Sequence, residues 1–179
     1  MLQQWVDDQR DAVVHLLTAH VVSSVILVGT NTGGSIAICV AADDLRMSAA
    51  CPLNPRADFY DRAEQPERFI DHARDIGAIH YRDFSPSVAE WTREFRRFRP
   101  VASARRFAPR PLQVMHGEED DSVPVSDTRQ WFNAHGSAEL SLFEGAGHRL
   151  RHDPRAVAVL LGWLDRMRST QVRPPAERV

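Results

Sequence analysis

The stretch Ser24 to Ala37, SVILVGTNTGGSIA, decides how the rest of the chain is read. Its first half is a short apolar, β-branched run, Val25, Ile26, Leu27 and Val28, closed by Gly29. Its second half is built of small residues after Gly33-Gly34 and leads into helix formers. An apolar run of this length bounded by glycine reads as a buried strand, and the glycine-rich half as a tight turn and a helix start. A strand that feeds a helix through so short a turn puts the middle residue, Asn31, at the carboxyl end of a parallel sheet. Ligands sit at that end in open α/β sheets.

The remaining chain supplies more strands and helices in alternation. Leu2 to His20 has Leu2, Trp5, Val6, Val13, Leu16 and Leu17 at helical spacing, with Asp7, Asp8, Gln9 and Arg10 opposite. The helix after the turn is expected from Gly33 to about Ala42, with Ile36, Ala37 and Val40 inward. Arg46–Cys51 carries a weak second strand signal, and Pro111–His116 a clearer third. Ala138–Phe143 alternates and reads as a fourth. Val125–His135 reads as a helix anchored by Trp131 and Phe132 and ended by Gly136. Pro154–Met167 reads as a closing helix with Val157, Leu160, Leu161 and Leu164 inward.

Between Pro52 and Pro109 the pattern is less regular and suggests a helical insertion. Gln65–Ile79 puts Phe69, Ala73 and Ile76 on one stripe. Ser85–Phe98 puts Val88, Trp91, Phe95 and Phe98 on another, with Ser85-Pro86 as its start signal. Helical spacing favours core packing for these aromatics over an acyl pocket. Arg93, Arg96, Arg97 and Arg99 are interleaved with Glu90 and Glu94, as on a solvated face. The expected organisation is one domain over residues 1–168, with 52–109 as insertion or cap and 169–179 as a disordered polar tail.

Composition narrows the function classes. The chain has 179 residues and a formal net charge of -2, which gives no electrostatic case for nucleic acid or an anionic membrane. Every basic side chain is arginine, scattered among acids, as compositional bias produces. No apolar run approaches the roughly 20 residues that span a bilayer. The first residues, MLQQWVDDQR, lack the basic and apolar regions of a secretory signal, so the expected location is cytoplasmic. Cys39 and Cys51 suggest neither a disulfide framework nor a metal site, and buried structural thiols are expected. No cofactor is expected.

Three loops at the expected carboxyl ends of strands carry chemistry: Asn31, then Asp120, then His148. Gly29-Thr30-Asn31-Thr32-Gly33 has the frame of the nucleophile elbow, G-x-S-x-G, with asparagine where the serine would stand. VMHGEEDDSVPVSDTR contains an H-G-x-x-D run followed by Val123-Pro124, which places an acid at Asp120, with Asp121 as the neighbouring alternative. FEGAGHRLRHDP places His148 after the last strand, whereas His152 reads as surface and His116 as support for the acid loop.

In order and in local sequence these motifs resemble the α/β-hydrolase superfamily, of the serine-hydrolase type, and the resemblance covers nearly the whole chain. It implies a parallel sheet of that type lacking the usual N-terminal strands. It also implies hydrolysis of ester or related acyl compounds, with Asn31 in the nucleophile position, Asp120 as acid and His148 as base. The backbone N–H of Thr32 would help hold the oxyanion.

A carboxamide is a very poor nucleophile, so the elbow is degenerate and serine-type activity is expected to be weak or absent. Asparagine also tolerates a left-handed turn, so its presence has a purely conformational reading. Thr30 and Thr32 are one position off the elbow tip. Deamidation of Asn31 would yield a carboxylate, as in the dehalogenase and epoxide-hydrolase branch. The alternative is a non-catalytic hydrolase-fold protein that binds a small molecule or a partner. An open sheet edge invites pairing, so a homo-oligomer formed through it is among the expected partners.

Overall fold

In a computed structural model, residues 2–20, 22–75, 77, 79–80 and 87–171 are described. Helix α1 (Leu2–Ala19) leads into strand β1 (Val25–Thr30), helix α2 (Thr32–Asp43) and strand β2 (Met47–Leu53). Helices α3 (Tyr60–Glu64), α4 (Pro66–Asp75), α5 (Val88–Arg97) and α6 (Pro100–Phe107) come next. Strand β3 (Gln113–Gly117), helix α7 (Val125–His135), strand β4 (Glu139–Phe143) and helix α8 (Pro154–Gln171) complete the order. The four strands pair in parallel in the order β1-β2-β3-β4. Among the described residues β1 and β4 are therefore the outer strands.

Alternation along β2 explains the two cores. Ala49, Cys51 and Leu53 face one side with Met115 and Phe143, where Ala156 and Trp163 of α8 cover them. Ala50 faces the other side with Leu27 and Val114, joined by Met47 across the register shift in the β1–β2 pairing, against Ile36, Ile38 and Val40 of α2 and Val6 and Val13 of α1. Such two-sided burial is what a parallel sheet requires. β1 is less covered, and Val28 on it is 43% exposed.

Several faces differ from the sequence reading. In α1, Leu2, Val6 and Val13 are buried, but Trp5 and Leu16 are exposed, at the margins of too wide a stripe. In α8 the inward residues are Ala156, Leu160, Trp163 and Leu164, while Val157 and Leu161 are exposed. In α7, Trp131 is fully buried and Phe132 is exposed. α8 continues through Ser169 and Thr170 to Gln171, and the rest of the tail lies outside the described residues. The expected stripe member Ile76 and the start signal Ser85-Pro86 also lie outside them.

The described residues of the 52–109 stretch form four helices, but its parts differ in role. Residues 52 and 53 belong to β2, and α6 packs against α2 and α7 in the layer flanking the sheet. The helices α3, α4 and α5 extend the core on the α1–α2 side and are held together by aromatic rings. The Phe69 ring meets Phe95 edge-on at 5.5 Å, Trp91 meets Phe95 at 5.8 Å, and Phe59 meets Phe95 at 6.0 Å. Trp91 and Phe95 are buried in this packing.

Candidate functional site

The turn after β1 is tight because two backbones touch. A Cβ at Gly29 would lie 2.7 Å from the Gly33 carbonyl carbon, and one at Gly34 would lie 2.9 Å from the Gly29 oxygen. At Gly33 a Cβ would meet nothing within 4 Å. The obligatory pair is Gly29 and Gly34, not the Gly29–Gly33 pair of the motif frame. Asn31 sits between them at φ 49°, ψ -124°, a conformation that costs a non-glycine residue about 1–3 kcal/mol. Its N–H donates to the Leu53 carbonyl at 2.8 Å, and its own carbonyl accepts from Ser35 N at 3.1 Å. The strained residue is thus held from both sides.

The acid and histidine loops close over the end of β3. A Cβ at Gly117 would overlap the Ala146 carbonyl, so only glycine lets the two loops approach. Glu118 N donates to Phe143 O at 3.0 Å and Glu119 N to Ala146 O at 2.9 Å. Asn54, 2% exposed and at φ 47°, ties the ends together. Its Nδ2 donates to His148 O at 3.0 Å and its Oδ1 accepts from Gly117 N at 3.0 Å. His116, fully buried, makes contacts of 3.0 Å to Val123 O and 2.7 Å to Thr128 Oγ1, supporting the acid loop. Burial pushes the His116 imidazole below its ordinary pKa.

These supports bring Asn31, Asp120 and His148 together. The Asp120 side chain is fully buried and accepts Ser122 N at 2.8 Å and Val123 N at 2.9 Å through Oδ1. His148 Nδ1 lies 3.0 Å from both Asp120 oxygens. His148 Nε2 lies 2.9 Å from Asn31 Nδ2. A carboxylate at Nδ1 places the ring proton there, which leaves the Nε2 lone pair to accept the Asn31 amide N–H. Asp121 is exposed and takes the Ser122 hydroxyl at 3.0 Å, away from the imidazole. His152 is exposed.

Thr32 begins α2, so its N–H is one of the first-turn donors that the helix ladder leaves free, beside the positive end of the helix. Its hydroxyl lies 3.4 Å from Asn31 Oδ1 and accepts from Arg62 Nη1 at 3.0 Å. The Arg62 guanidinium stacks 4.6 Å over Phe69 and 5.5 Å from the Phe59 centroid. Burial, and then the charge of Arg56, lower its pKa to about 10. Arg56 itself pairs with Asp61 at 3.0 Å and donates to Ser122 O at 3.1 Å.

Asn31, His148, Arg56, Arg62 and Phe69 line one cleft of about 790 Å³, the scale of a small-molecule site. Neither Arg62 nor Asn54 stands out in the sequence. Nothing local marks either residue, since their partners come from distant loops. Among the described residues no group of three or more His, Cys, Asp or Glu is placed to hold a metal. Cys39 and Cys51 are free and buried, and burial pushes their thiols up to about 11 and about 12.

Comparison with known proteins agrees with this architecture. The structure is similar to Est1E from Butyrivibrio proteoclasticus, with a TM-score of 0.72 at 17% identity, over 97% of this chain and 72% of that one. It is similar to the α/β hydrolase GrgF from Penicillium sp. sh18, with a TM-score of 0.64 at 20% identity, over 92% of this chain and 70% of that one. A carboxylesterase structure from Nitrososphaera gargenis aligns with a TM-score of 0.67 at 17% identity, over 95% of this chain and 74% of that one. At such identities the likeness speaks for the fold. No curated protein matches the sequence. The model of the prolyl oligopeptidase family matches residues 2–170, and the chain therefore belongs to that family, with the α/β-hydrolase fold.

Proposed function

We propose that this hydrolase-fold protein receives an ester or related acyl compound in the cleft at Asn31, and that its serine-type acyl transfer is weak or absent. The observation that carries the reading is Asn31 in the nucleophile position, its Nδ2 2.9 Å from His148 Nε2. In an acting triad a hydroxyl gives that nitrogen its proton and attacks through oxygen. A carboxamide lone pair is delocalised, and here the amide N–H occupies the lone pair that would serve as base. Asp120 and His148 then act as an oriented pair with no nucleophile to activate.

The remaining parts favour binding. The Thr32 N–H and the start of α2 supply a donor and a positive end for a carbonyl or developing oxyanion. Where His148 turns to a water instead, the rate is that of a triad lacking its nucleophile, roughly 10³–10⁴ over water in enzymes with an intact oxyanion hole. The two free, buried thiols fit a reducing compartment, which supports a cytoplasmic setting.

The test compares the wild type with Asn31→Ser on a short chromogenic ester. Asn31→Ser should gain roughly 10²-fold or more, a small part of the roughly 10⁶ that a nucleophile supplies in an intact triad. Wild-type turnover as fast as that of the variant would refute the reading. A second reading, pairing with another copy of the chain, is favoured by the outer edge of β1 and its exposed Val28. Sedimentation equilibrium distinguishes it: a monomer at all concentrations rules it out.

A further inference from the structure

We propose that Arg62 selects the ligand of this cleft, and that the ligand is a small acyl compound carrying a second group, a free carboxylate, which pairs with the Arg62 guanidinium. The inference rests on the ligand-binding reading of the cleft and adds to it the chemical class of what binds.

Arg62 is held by two rings and one hydroxyl. Its guanidinium stacks on Phe69 and Phe59, which fixes its plane and removes water from its faces. The partner on its edge is the neutral Thr32 hydroxyl at 3.0 Å. Among the described residues no carboxylate forms an ion pair with it. The adjacent Asp61 turns its oxygen to Arg56 instead, at 3.0 Å. A desolvated cation whose nearest carboxylate is engaged elsewhere is costly, and burial and the like charge of Arg56 pull its pKa down against the smaller opposing effect of Asp61. A guanidinium carries five N–H donors in a planar fork suited to a carboxylate, and among the described residues the hydrogen bond it donates is the one to Thr32.

Position gives the pairing its meaning. Thr32 connects Arg62 to Asn31, its hydroxyl being 3.0 Å from the one and 3.4 Å from the other's Oδ1. A carboxylate on Arg62 therefore leaves a carbonyl a few atoms away at the elbow, beside His148 and the start of α2. Monoesters and monoamides of short dicarboxylic acids have that spacing. Apart from Arg62 the cleft is lined by Arg56, Arg68 and Arg149 against Asp61 and Glu64, which leaves a small excess of positive charge.

The test is a calorimetric titration of the wild-type protein with monomethyl glutarate and with dimethyl glutarate, which differ in one charge and little in shape. A hydrogen-bonded charge pair of ordinary strength should make the monoester bind about ten- to a hundredfold more tightly. Arg62→Met keeps an apolar stem on the rings and should abolish that preference, while Arg93→Met, at an exposed arginine outside the cleft, should keep it. Equal affinity of wild type for both probes, or binding of neither, overturns the proposal without recourse to any variant. So does a preference that survives in an Arg62→Met protein. These readouts need no turnover, so they fail or succeed independently of the Asn31→Ser assay.

Discussion

Asn31 Nδ2 and His148 Nε2 are 2.9 Å apart, and the other ring nitrogen of His148 faces both oxygens of Asp120 at 3.0 Å. The hydrogen bonds run as they do in a catalytic relay, but the last member holds a proton it cannot usefully lose. Asp120 also organises its own loop by accepting Ser122 N and Val123 N. Asp120→Asn keeps an oxygen for those donors, whereas Asp120→Ala does not. Asp120→Ala should cost about 1–3 kcal/mol, from donors left unpaired, and Asp120→Asn clearly less. Urea denaturation of both variants measures the difference.

The turn around Asn31 gives a contrast between neighbouring glycines. Gly29→Ala drives a methyl into the Gly33 backbone at 2.7 Å, and should prevent native folding or lower the melting temperature severely. Gly33→Ala meets open space inside α2 and should be neutral or stabilising by about 0.4–1 kcal/mol. Thermal melts followed by circular dichroism read both.

Asn54 joins β2 to the acid and histidine loops through one amide. Asn54→Ala leaves the Gly117 N–H without its acceptor and puts alanine at φ 47°. The expected cost is about 2–3 kcal/mol, combining an unpaired buried donor with left-handed strain. Asn54→Gly should recover only the strain. Chemical denaturation of the two variants separates the contributions.

Two buried histidines give the stability a pH dependence. Burial lowers the pKa of His116 and of His135 in the folded state, so unfolded chains bind protons more readily there. Their neutral forms are tolerated fully above the unfolded value near 6.5, and stability falls as pH drops below it toward the folded values. Asp127 works oppositely, because burial raises its pKa and favours its protonated folded form above about 4. Melting temperature should fall between about pH 6.5 and 5, and His116→Gln should flatten that slope even where it lowers overall stability.

Much of the site is legible in the sequence because it lies in contiguous motifs. The apolar run into Gly29, the H-G-x-x-D loop and the G-A-G-H loop each encode a local backbone shape, and their order places Asn31, Asp120 and His148 on one sheet end. The hidden part depends on contacts across loops. Asn54 acts through Gly117 and His148, and Arg62 through Thr32 and Phe69, with spacings that no local pattern records. Helix faces are blurred where apolar stripes are wide, so Trp5, Leu16, Val157 and Leu161 read as inward yet are exposed. α6 escapes because it spans only eight residues and its buried stripe, Pro100, Ser103, Ala104 and Phe107, is carried largely by small or polar residues.

The most direct measurement is intact-mass spectrometry after treatment with a fluorophosphonate, which labels an activated serine by losing fluoride to form a phosphonyl ester. Wild-type protein should keep its mass, because Asn31 offers no oxygen that His148 can activate. Asn31→Ser should gain one phosphonyl group at position 31, and His148→Ala in that background should abolish it. A phosphonyl adduct on the wild type would contradict the account, as would a folded Asn31→Ser protein that stays unlabelled.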